Sequence, residues 1–282
     1  MLPGCFPSMT LQLLKQVIVL ARQAGAEIMQ IYAREDFGAT SKADNSPLTL
    51  ADLASHRAIV AGLQKITSPV PILSEEAANI PYAERRDWQT FWLVDPLDGT
   101  KEFIKRNGEF TVNIALIENG TPILGVVYAP VLDVCYYGAA GLGAFKIAGT
   151  GSGLDQPTRP APIYAQQHYA GERMKVVASR SHSDERTAAL LASLADHECI
   201  SMGSSLKLCL VAAGAAHFYP RLGPTMEWDT AAAHAVVNAA GGKVCDIHGT
   251  GLHYNKEDLH NPEFFVMHAA DTRLTGLVSA LC

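Results

Sequence analysis

Two aspartates three residues apart are the first residues whose types and spacing could support catalysis or metal binding. Residues 95–100 read Asp-Pro-Leu-Asp-Gly-Thr and follow an apolar run, 91–94, that predicts a buried strand. Both carboxylates, Asp95 and Asp98, can point to one side of the turn, and Mg²⁺ prefers such oxygen ligands. Asp-Pro and Asp-Gly are also ordinary turn dipeptides, so a turn without metal is the alternative for this segment taken alone.

Four further carboxylates occur where predicted elements begin or end. Glu75 and Glu76 follow a short predicted strand, and adjacent like charges near a core need either solvent or a cation. Asp229 precedes an Ala-rich helical segment, so its alternative role is a helix N-cap. Asp52 lies three residues after Thr49, where a capping box would also use it.

Hydrophobic periodicity predicts the elements that position these residues in the first half of the chain. Residues 11–32 show a helical period with one apolar face, and a second helix runs from the capping box at Thr49 to about residue 63. Strands 110–117 and 123–128 flank an Asn-Gly pair that suits a type I′ turn. The sheet is therefore expected to be antiparallel at least in part.

The second half alternates strands and helices, which is typical of an α/β unit. Residues 149–171 are rich in Gly and Pro without periodicity, and we place the connection between halves there. The prediction is an N-terminal unit of residues 9–150 and a C-terminal unit of residues 171–282. The predicted strands of the second unit are 174–178, 217–219 and 264–268, and the predicted helices are 184–195, 204–213 and 229–240.

Composition excludes several classes of protein. The 22 Lys and Arg against 28 Asp and Glu leave a formal net charge of -6, which argues against nucleic-acid binding. The longest apolar run, 208–216, is too short to cross a bilayer. The six cysteines form no Cys-x-x-Cys pair and the ten histidines no cluster, so neither disulfides nor zinc is expected. We expect a cytoplasmic protein, with peripheral association at the inner membrane left open.

Longer segments identify a family. They are Leu-Ser-Glu-Glu at 73–76, Trp-Leu-Val-Asp-Pro-Leu-Asp-Gly-Thr at 92–100, and Trp-Asp-Thr-Ala-Ala at 228–232 with Ala-Gly-Gly at 240–242. On these residues the chain resembles the inositol-monophosphatase-like superfamily of metal-dependent, lithium-sensitive phosphomonoesterases. Four other segments resemble its bacterial CysQ branch, the 3′(2′),5′-bisphosphate nucleotidases, namely 41–47, 101–113, 203–207 and 219–221.

The resemblance implies a fold and a metal site. The fold is a layered αβαβα sandwich of two α/β subdomains with the metal site between them. One Mg²⁺ would be held by Glu75, Asp95 and the Leu97 carbonyl, and a second by Asp95, Asp98 and Asp229. Thr100 would orient the attacking water, and Asp52 would support it or help to hold a third, weaker Mg²⁺. Asp52, Glu75 and Thr100 are thus the expected catalytic residues.

The resemblance also implies contacts with the substrate. The metal ligands Glu75, Leu97, Asp98 and Asp229 would contact it together with Thr100 and Gly99, whose small size allows close approach of the backbone. The second half would contribute Ser181, His182, Ser204, Lys207 and Arg221. Lys207 and Arg221 could meet a second phosphate. Without the resemblance, Ser204 would be interpreted as a helix N-cap and the two basic residues as solvated surface charges.

The predicted function is hydrolysis of 3′-phosphoadenosine 5′-phosphate to AMP and phosphate, which clears a by-product of sulfate assimilation. The alternative is an inositol or sugar phosphatase with the same metal core. A haloacid-dehalogenase-like phosphatase would need Asp-x-Asp rather than the Asp-x-x-Asp seen here. A nucleotide or metal sensor without turnover would lack a metal-ligating or water-positioning residue. None is missing here, because Glu75, Asp95, Asp98, Thr100 and Asp229 are all present. The expected partner is a small-molecule nucleotide, and the sequence predicts no oligomeric state.

Overall fold

A computed structural model describes residues 7–36, 38, 40–41, 47–149, 159–169, 171–178, 185–194 and 196–279. The α-helices are α1 (Pro7–Tyr32), α2 (Leu50–Thr67), α3 (Tyr82–Arg85), α4 (Thr100–Ile104), α5 (Glu185–Ser193), α6 (Leu206–Ala212), α7 (Glu227–Ala239) and α8 (Thr272–Ser279). The strands are β1 (Thr40–Ser41), β2 (Pro47–Leu48), β3 (Ile72–Ser74), β4 (Thr90–Asp98), β5 (Thr111–Glu118), β6 (Thr121–Ala129), β7 (Val134–Ala139), β8 (Gly143–Ala148), β9 (Ala161–Ile163), β10 (Met174–Ala178), β11 (His197–Ser201), β12 (Phe218–Arg221), β13 (Gly242–Cys245) and β14 (Phe264–His268).

The larger sheet has seven strands in the order β3-β4-β5-β6-β7-β8-β9. Only β3 and β4 are parallel within it; the other pairs are antiparallel. Asn119 and Gly120 join β5 to β6 with φ angles of 50° and 73°. Positive φ at both positions is what a type I′ turn requires, so the predicted hairpin is confirmed.

The smaller sheet has five strands in the order β11-β10-β12-β14-β13. Strand β10 is parallel to both β11 and β12, whereas β14 is antiparallel to β12 and β13. The short pair β1 and β2 forms a separate antiparallel ribbon.

Alternating side chains of the two sheets build three apolar cores between five layers. In β4, Trp92 packs with α1 and α2, whereas Phe91 packs with α6 and α7 on the opposite face. The far side of α6 and α7 packs against the smaller sheet through Tyr219 and Phe264. The outer face of that sheet packs with α5 and α8. The predicted αβαβα sandwich is therefore confirmed.

Helix α7 lies between the sheets because its surface is made of small residues. A Cβ on Gly125 of β6 would overlap the main-chain carbonyl of Ala232, so helix and strand meet backbone to backbone. Close contact of this kind needs glycine on one side and small side chains on the other. It brings the first turn of α7 to the end of β4, where the candidate site lies.

Several predicted boundaries differ from the structure. Strand β4 was expected to end before Asp95, but it continues to Asp98 because Asp95 pairs with Asn113 and Asp98 with Thr111 on β5. A register irregularity between the two aspartates accommodates the Pro-Leu dipeptide. The other predicted helices and strands are present, with ends shifted by a few residues.

Seven strands were not predicted: β1, β2, β7, β8, β9, β11 and β13. Strand β9 falls within the expected connection 149–171 and pairs with β8 at the edge of the larger sheet. Three residues are too few to show a period, and β11 carries exposed polar side chains. The division into units at 149–171 stays a prediction. No helix among the described residues is long and apolar enough to cross a membrane.

Candidate active site

Four carboxylates, which we call the acidic cluster, meet where β3, β4 and α7 approach one another: Glu75, Asp95, Asp98 and Asp229. Strands β3 and β4 are parallel, so their carboxyl ends place Glu75 and Asp95 side by side. The two side chains are close enough to share a proton, which contributes to raising the pKa of Asp95. One carboxylate oxygen from each of Asp95, Asp98 and Asp229 lies within 4.8 Å of the other two.

The electrostatics of the acidic cluster demand a positive charge or a proton. Burial raises the pKa of Asp95 well above its ordinary value, and Glu75, Asp98 and Asp229 raise it further. Burial, followed by the charge of Asp98, raises the pKa of Asp229 to about 8. In the described part of the chain, no lysine or arginine forms an ion pair with Asp95, Asp98 or Asp229. An all-oxygen donor set of this charge and burial could bind a hard divalent cation.

Asp52 is fixed beside the acidic cluster by the predicted capping box. Its Oδ2 accepts hydrogen bonds from the Thr49 backbone N–H at 2.7 Å and the Thr49 hydroxyl at 2.6 Å. Its Oδ1 accepts a hydrogen bond from the Thr100 hydroxyl at 3.2 Å. The capping role is thus confirmed, and the same carboxylate also holds Thr100.

Gly99 makes the turn between β4 and α4. Its φ of 93° and ψ of 45° lie in the left-handed region, and α4 begins at Thr100 as expected. A Cβ at this position would overlap the Ser204 hydroxyl. Glycine is therefore required both for the backbone conformation and for the approach of the second half of the chain. Leu97 is buried in the same turn, and its carbonyl lies 3.5 Å from the Thr100 hydroxyl.

A cavity of about 310 Å³ opens beside the acidic cluster. Its lining includes Asp98, Gly99, Ser204, Lys207, Arg221 and Asp229. Of these predicted residues, Lys207 and Arg221 supply the positive charge.

Lys207 is a buried cation rather than a solvated one. Lys207 is only 9% exposed, so its interpretation as a solvated surface charge is wrong. Burial lowers its pKa, while the nearby Asp98 raises it. Within the described ranges, no hydrogen bond or ion pair joins the ammonium to another residue. A buried ammonium of this kind needs an anionic or polar partner.

Arg221 is partly paired. One terminal nitrogen of its guanidinium donates a hydrogen bond to the Pro224 carbonyl at 3.0 Å. Its Nε is buried and has no hydrogen-bond partner among the described residues. An unsatisfied donor of Arg221, a residue that lines the cavity, therefore remains beside it.

Two helix-capping interpretations from the sequence are wrong. Ser204 has a φ of 48° and its hydroxyl lies against the Asp98 and Glu109 carbonyls, while Ser205 is the N-cap of α6. Asp229 occupies the third position of α7, where its carboxylate accepts the N–H of the N-cap Met226 at 2.8 Å.

Two predicted site residues are not described by the structure, and two residues at the site were not predicted. Ser181 and His182 lie outside the described residues, so their predicted contacts stay predictions. Ser205 and Asn113 were not selected, yet both lie within hydrogen-bond distance of Asp98. Both residues were within the segments that resemble the CysQ branch, but no charge or unusual spacing marked them.

Known bacterial proteins are similar to this chain over most of its length. The 3′(2′),5′-bisphosphate nucleotidase CysQ of Escherichia coli (strain K12) is 50% identical over 256 residues, which cover 90% of this chain and 99% of that protein. The protein of the same name from Haemophilus influenzae is 36% identical over 257 residues, covering 90% of this chain and 92% of its own. The predicted resemblance to bacterial nucleotidases, and the prediction of an enzyme, are confirmed.

Solved structures agree with this assignment. CysQ from Bacteroides thetaiotaomicron, described as a bacterial member of the inositol monophosphatase family, superposes with a TM-score of 0.78 at 46% identity and covers 91% of this chain and 97% of that one. An IMPase from Thermotoga maritima has a TM-score of 0.76 at 24% identity over 95% and 97% of the two chains, which shows the fold alone. The model of the inositol monophosphatase family matches residues 10–280. This chain belongs to the inositol monophosphatase family.

Proposed function

We propose that this enzyme is a magnesium-dependent 3′(2′),5′-bisphosphate nucleotidase that hydrolyses 3′-phosphoadenosine 5′-phosphate to AMP and phosphate. The observation that carries the proposal is the buried ammonium of Lys207, which has no partner among the described residues, in the cavity beside the acidic cluster. A substrate with one phosphate over the acidic cluster leaves this ammonium without an anion. A bisphosphate supplies one. The relatives named above carry this activity in their names.

The acidic cluster would hold two Mg²⁺ ions. Glu75, Asp95 and the Leu97 carbonyl are the proposed ligands of one, and Asp95, Asp98 and Asp229 are those of the other. Bound Mg²⁺ supplies a more acidic water and neutralises charge on the phosphate oxygens. The raised pKa values of Asp95 and Asp229 support the proposal, because a site that repels its own charges gains most from a divalent cation.

Thr100 and Asp52 would orient the attacking water. The Thr100 hydroxyl donates its only proton to Asp52, so its oxygen lone pairs remain to accept a hydrogen bond from water. Both oxygens of Asp52 already accept hydrogen bonds, from Thr49 and from Thr100. This arrangement favours the supporting role of Asp52 over that of ligand to a third Mg²⁺.

The second phosphate would lie against Lys207 and Arg221. The buried Nε of Arg221 and the Lys207 ammonium are donors without protein partners in the described part of the molecule. Charge-assisted hydrogen bonds from such donors are among the stronger polar contacts in proteins. Ser204 lines the same cavity, but its hydroxyl proton is directed at main-chain carbonyls. It could therefore only accept a hydrogen bond from the nucleotide.

The proposal also covers the metabolic role, inhibition by lithium and the backbone contacts to the scissile phosphate. Removal of 3′-phosphoadenosine 5′-phosphate would clear a by-product of sulfate assimilation. Lithium would inhibit by competing at the Mg²⁺ sites. Gly99 and Thr100 would approach the scissile phosphate with their backbone N–H groups, because Gly99 carries no side chain to prevent it.

Phosphate release tests the proposal directly. The purified enzyme is assayed with 3′-phosphoadenosine 5′-phosphate and with inositol 1-phosphate, each with Mg²⁺, with EDTA, and with Mg²⁺ plus Li⁺. We expect Mg²⁺-dependent preference for the nucleotide, with loss of turnover in EDTA and inhibition by Li⁺. Preference for the inositol ester would keep the metal site and refute the second-phosphate site. Full turnover in EDTA would refute both.

A further inference from the structure

A buried hydrogen-bond network holds the Asp98 carboxylate at the edge of the cavity. Ser205 donates to Asp98 Oδ2 from its backbone N–H at 2.6 Å, and its hydroxyl lies 2.7 Å from the same oxygen. The Ser205 hydroxyl oxygen is also 2.6 Å from the main-chain carbonyl of Asp229. One serine therefore contacts two residues of the acidic cluster.

The orientation of this serine is set by two more buried side chains. Asn113 Nδ2 donates to the Ser205 hydroxyl oxygen at 2.8 Å. The Thr111 hydroxyl donates to Asn113 Oδ1 at 3.0 Å, which fixes which end of the amide faces Ser205. Since Ser205 accepts from Asn113, its single proton must lie between Asp98 and the Asp229 carbonyl. Thr111, Asn113 and Ser205 are all buried, so solvent does not compete.

The network joins four elements. Asp98 ends β4, Thr111 and Asn113 lie on β5, Ser205 is the N-cap of α6, and Asp229 lies in the first turn of α7. Ser205 bridges the Asp98 carboxylate and the main chain of Asp229, so the place of the first turn of α7 relative to Asp98, and with it the distance between the two carboxylates, depends on this serine. Within the described residues, no group donates to Asp98 Oδ1, so that oxygen remains for a ligand.

We propose that Ser205 is a positioning residue that fixes the separation of the Asp98 and Asp229 carboxylates and thereby sets the affinity of the acidic cluster for Mg²⁺. This inference rests on the proposed metal site. Groups that orient metal ligands typically change metal affinity about 10–100-fold when removed. Ser205 also lies two residues before Lys207 on the same segment, so it links the metal site to the second-phosphate site.

Mg²⁺ binding to the metal-free protein tests the inference without relying on turnover. Titration calorimetry is performed on the wild type, on Ser205→Ala and on a control, Ser193→Ala, which removes a hydroxyl that donates to the Leu190 carbonyl on α5, outside the cavity lining. We expect about tenfold weaker Mg²⁺ binding for Ser205→Ala and no change for the control. Thermal unfolding in EDTA reports whether each variant is folded. At saturating Mg²⁺, kcat of Ser205→Ala should be closer to the wild-type value than its Mg²⁺ affinity is.

A milder variant covers the case in which Ser205→Ala does not fold. Thr111→Val keeps the shape of the side chain but releases the Asn113 amide, and we expect a smaller loss of Mg²⁺ affinity in the same direction. Affinity within about twofold of wild type for Ser205→Ala, or for Thr111→Val when it alone folds, overturns the inference and leaves the proposed function intact. Failure of the wild type to bind Mg²⁺ would overturn both.

Discussion

The acidic cluster should make the metal-free protein less stable as the pH rises. The pKa of Asp229 is raised from 3.8 to about 8 in the folded protein. The folded state therefore keeps a proton that the unfolded chain has already released. Its stabilising effect is complete below the unfolded pKa and is lost as the pH rises through about 8.

The change in unfolding free energy can be worked out in a pH window in which the titration of His234 does not oppose it. Burial lowers the pKa of His234 to about 3 from 6.5, so its contribution favours folding increasingly up to about pH 6.5 and is then constant. Between about pH 6.5 and pH 8.5, loss of the Asp229 proton costs about 2 kcal/mol of unfolding free energy. At about 2–4 °C per kcal/mol, the melting temperature in EDTA should fall by about 4–8 °C.

Thermal unfolding with EDTA and with Mg²⁺ measures this effect. Mg²⁺ should flatten the pH dependence, because the cation takes the place of the protons and binds more tightly as they leave. The control is Asp229→Asn, whose amide does not titrate and can still accept the Met226 N–H. Equal pH slopes with and without Mg²⁺, or an unchanged slope in Asp229→Asn, would refute the electrostatic argument.

Three substitutions make further predictions. Asp95→Asn should abolish phosphate release by removing the ligand proposed to bridge both ions, and a near-normal rate with Mg²⁺ would contradict that role. Lys207→Ala should raise KM for the bisphosphate by about 10–100-fold while sparing adenosine 3′-monophosphate, with the exposed Lys175→Ala as control; equal losses on both substrates would reject a second-phosphate role. Gly99→Ala should lower the unfolding free energy by at least about 1 kcal/mol because of the positive φ and the overlap with Ser204, and unchanged stability and kcat would be the contrary result.

The sequence by itself determined features that depend on neighbouring residues. The capping box at Thr49 and Asp52, and the turn at Asn119 and Gly120, were predictable because side-chain capping and positive φ are local preferences. The acidic residues were recognisable as hard-cation donors by type. Their resemblance to one family then supplied the layered fold and the candidate ligands together.

Only the tertiary structure decided how distant residues meet. Strand β4 continues through Asp98 because β5 offers it a partner, and this pairing cannot be seen in the segment itself. Ser205 reaches Asp98 across 107 positions of sequence, and Lys207 becomes buried only when α6 packs between the two sheets. These contacts depend on the packing of whole layers, so their distances and the resulting pKa shifts are properties of the folded molecule.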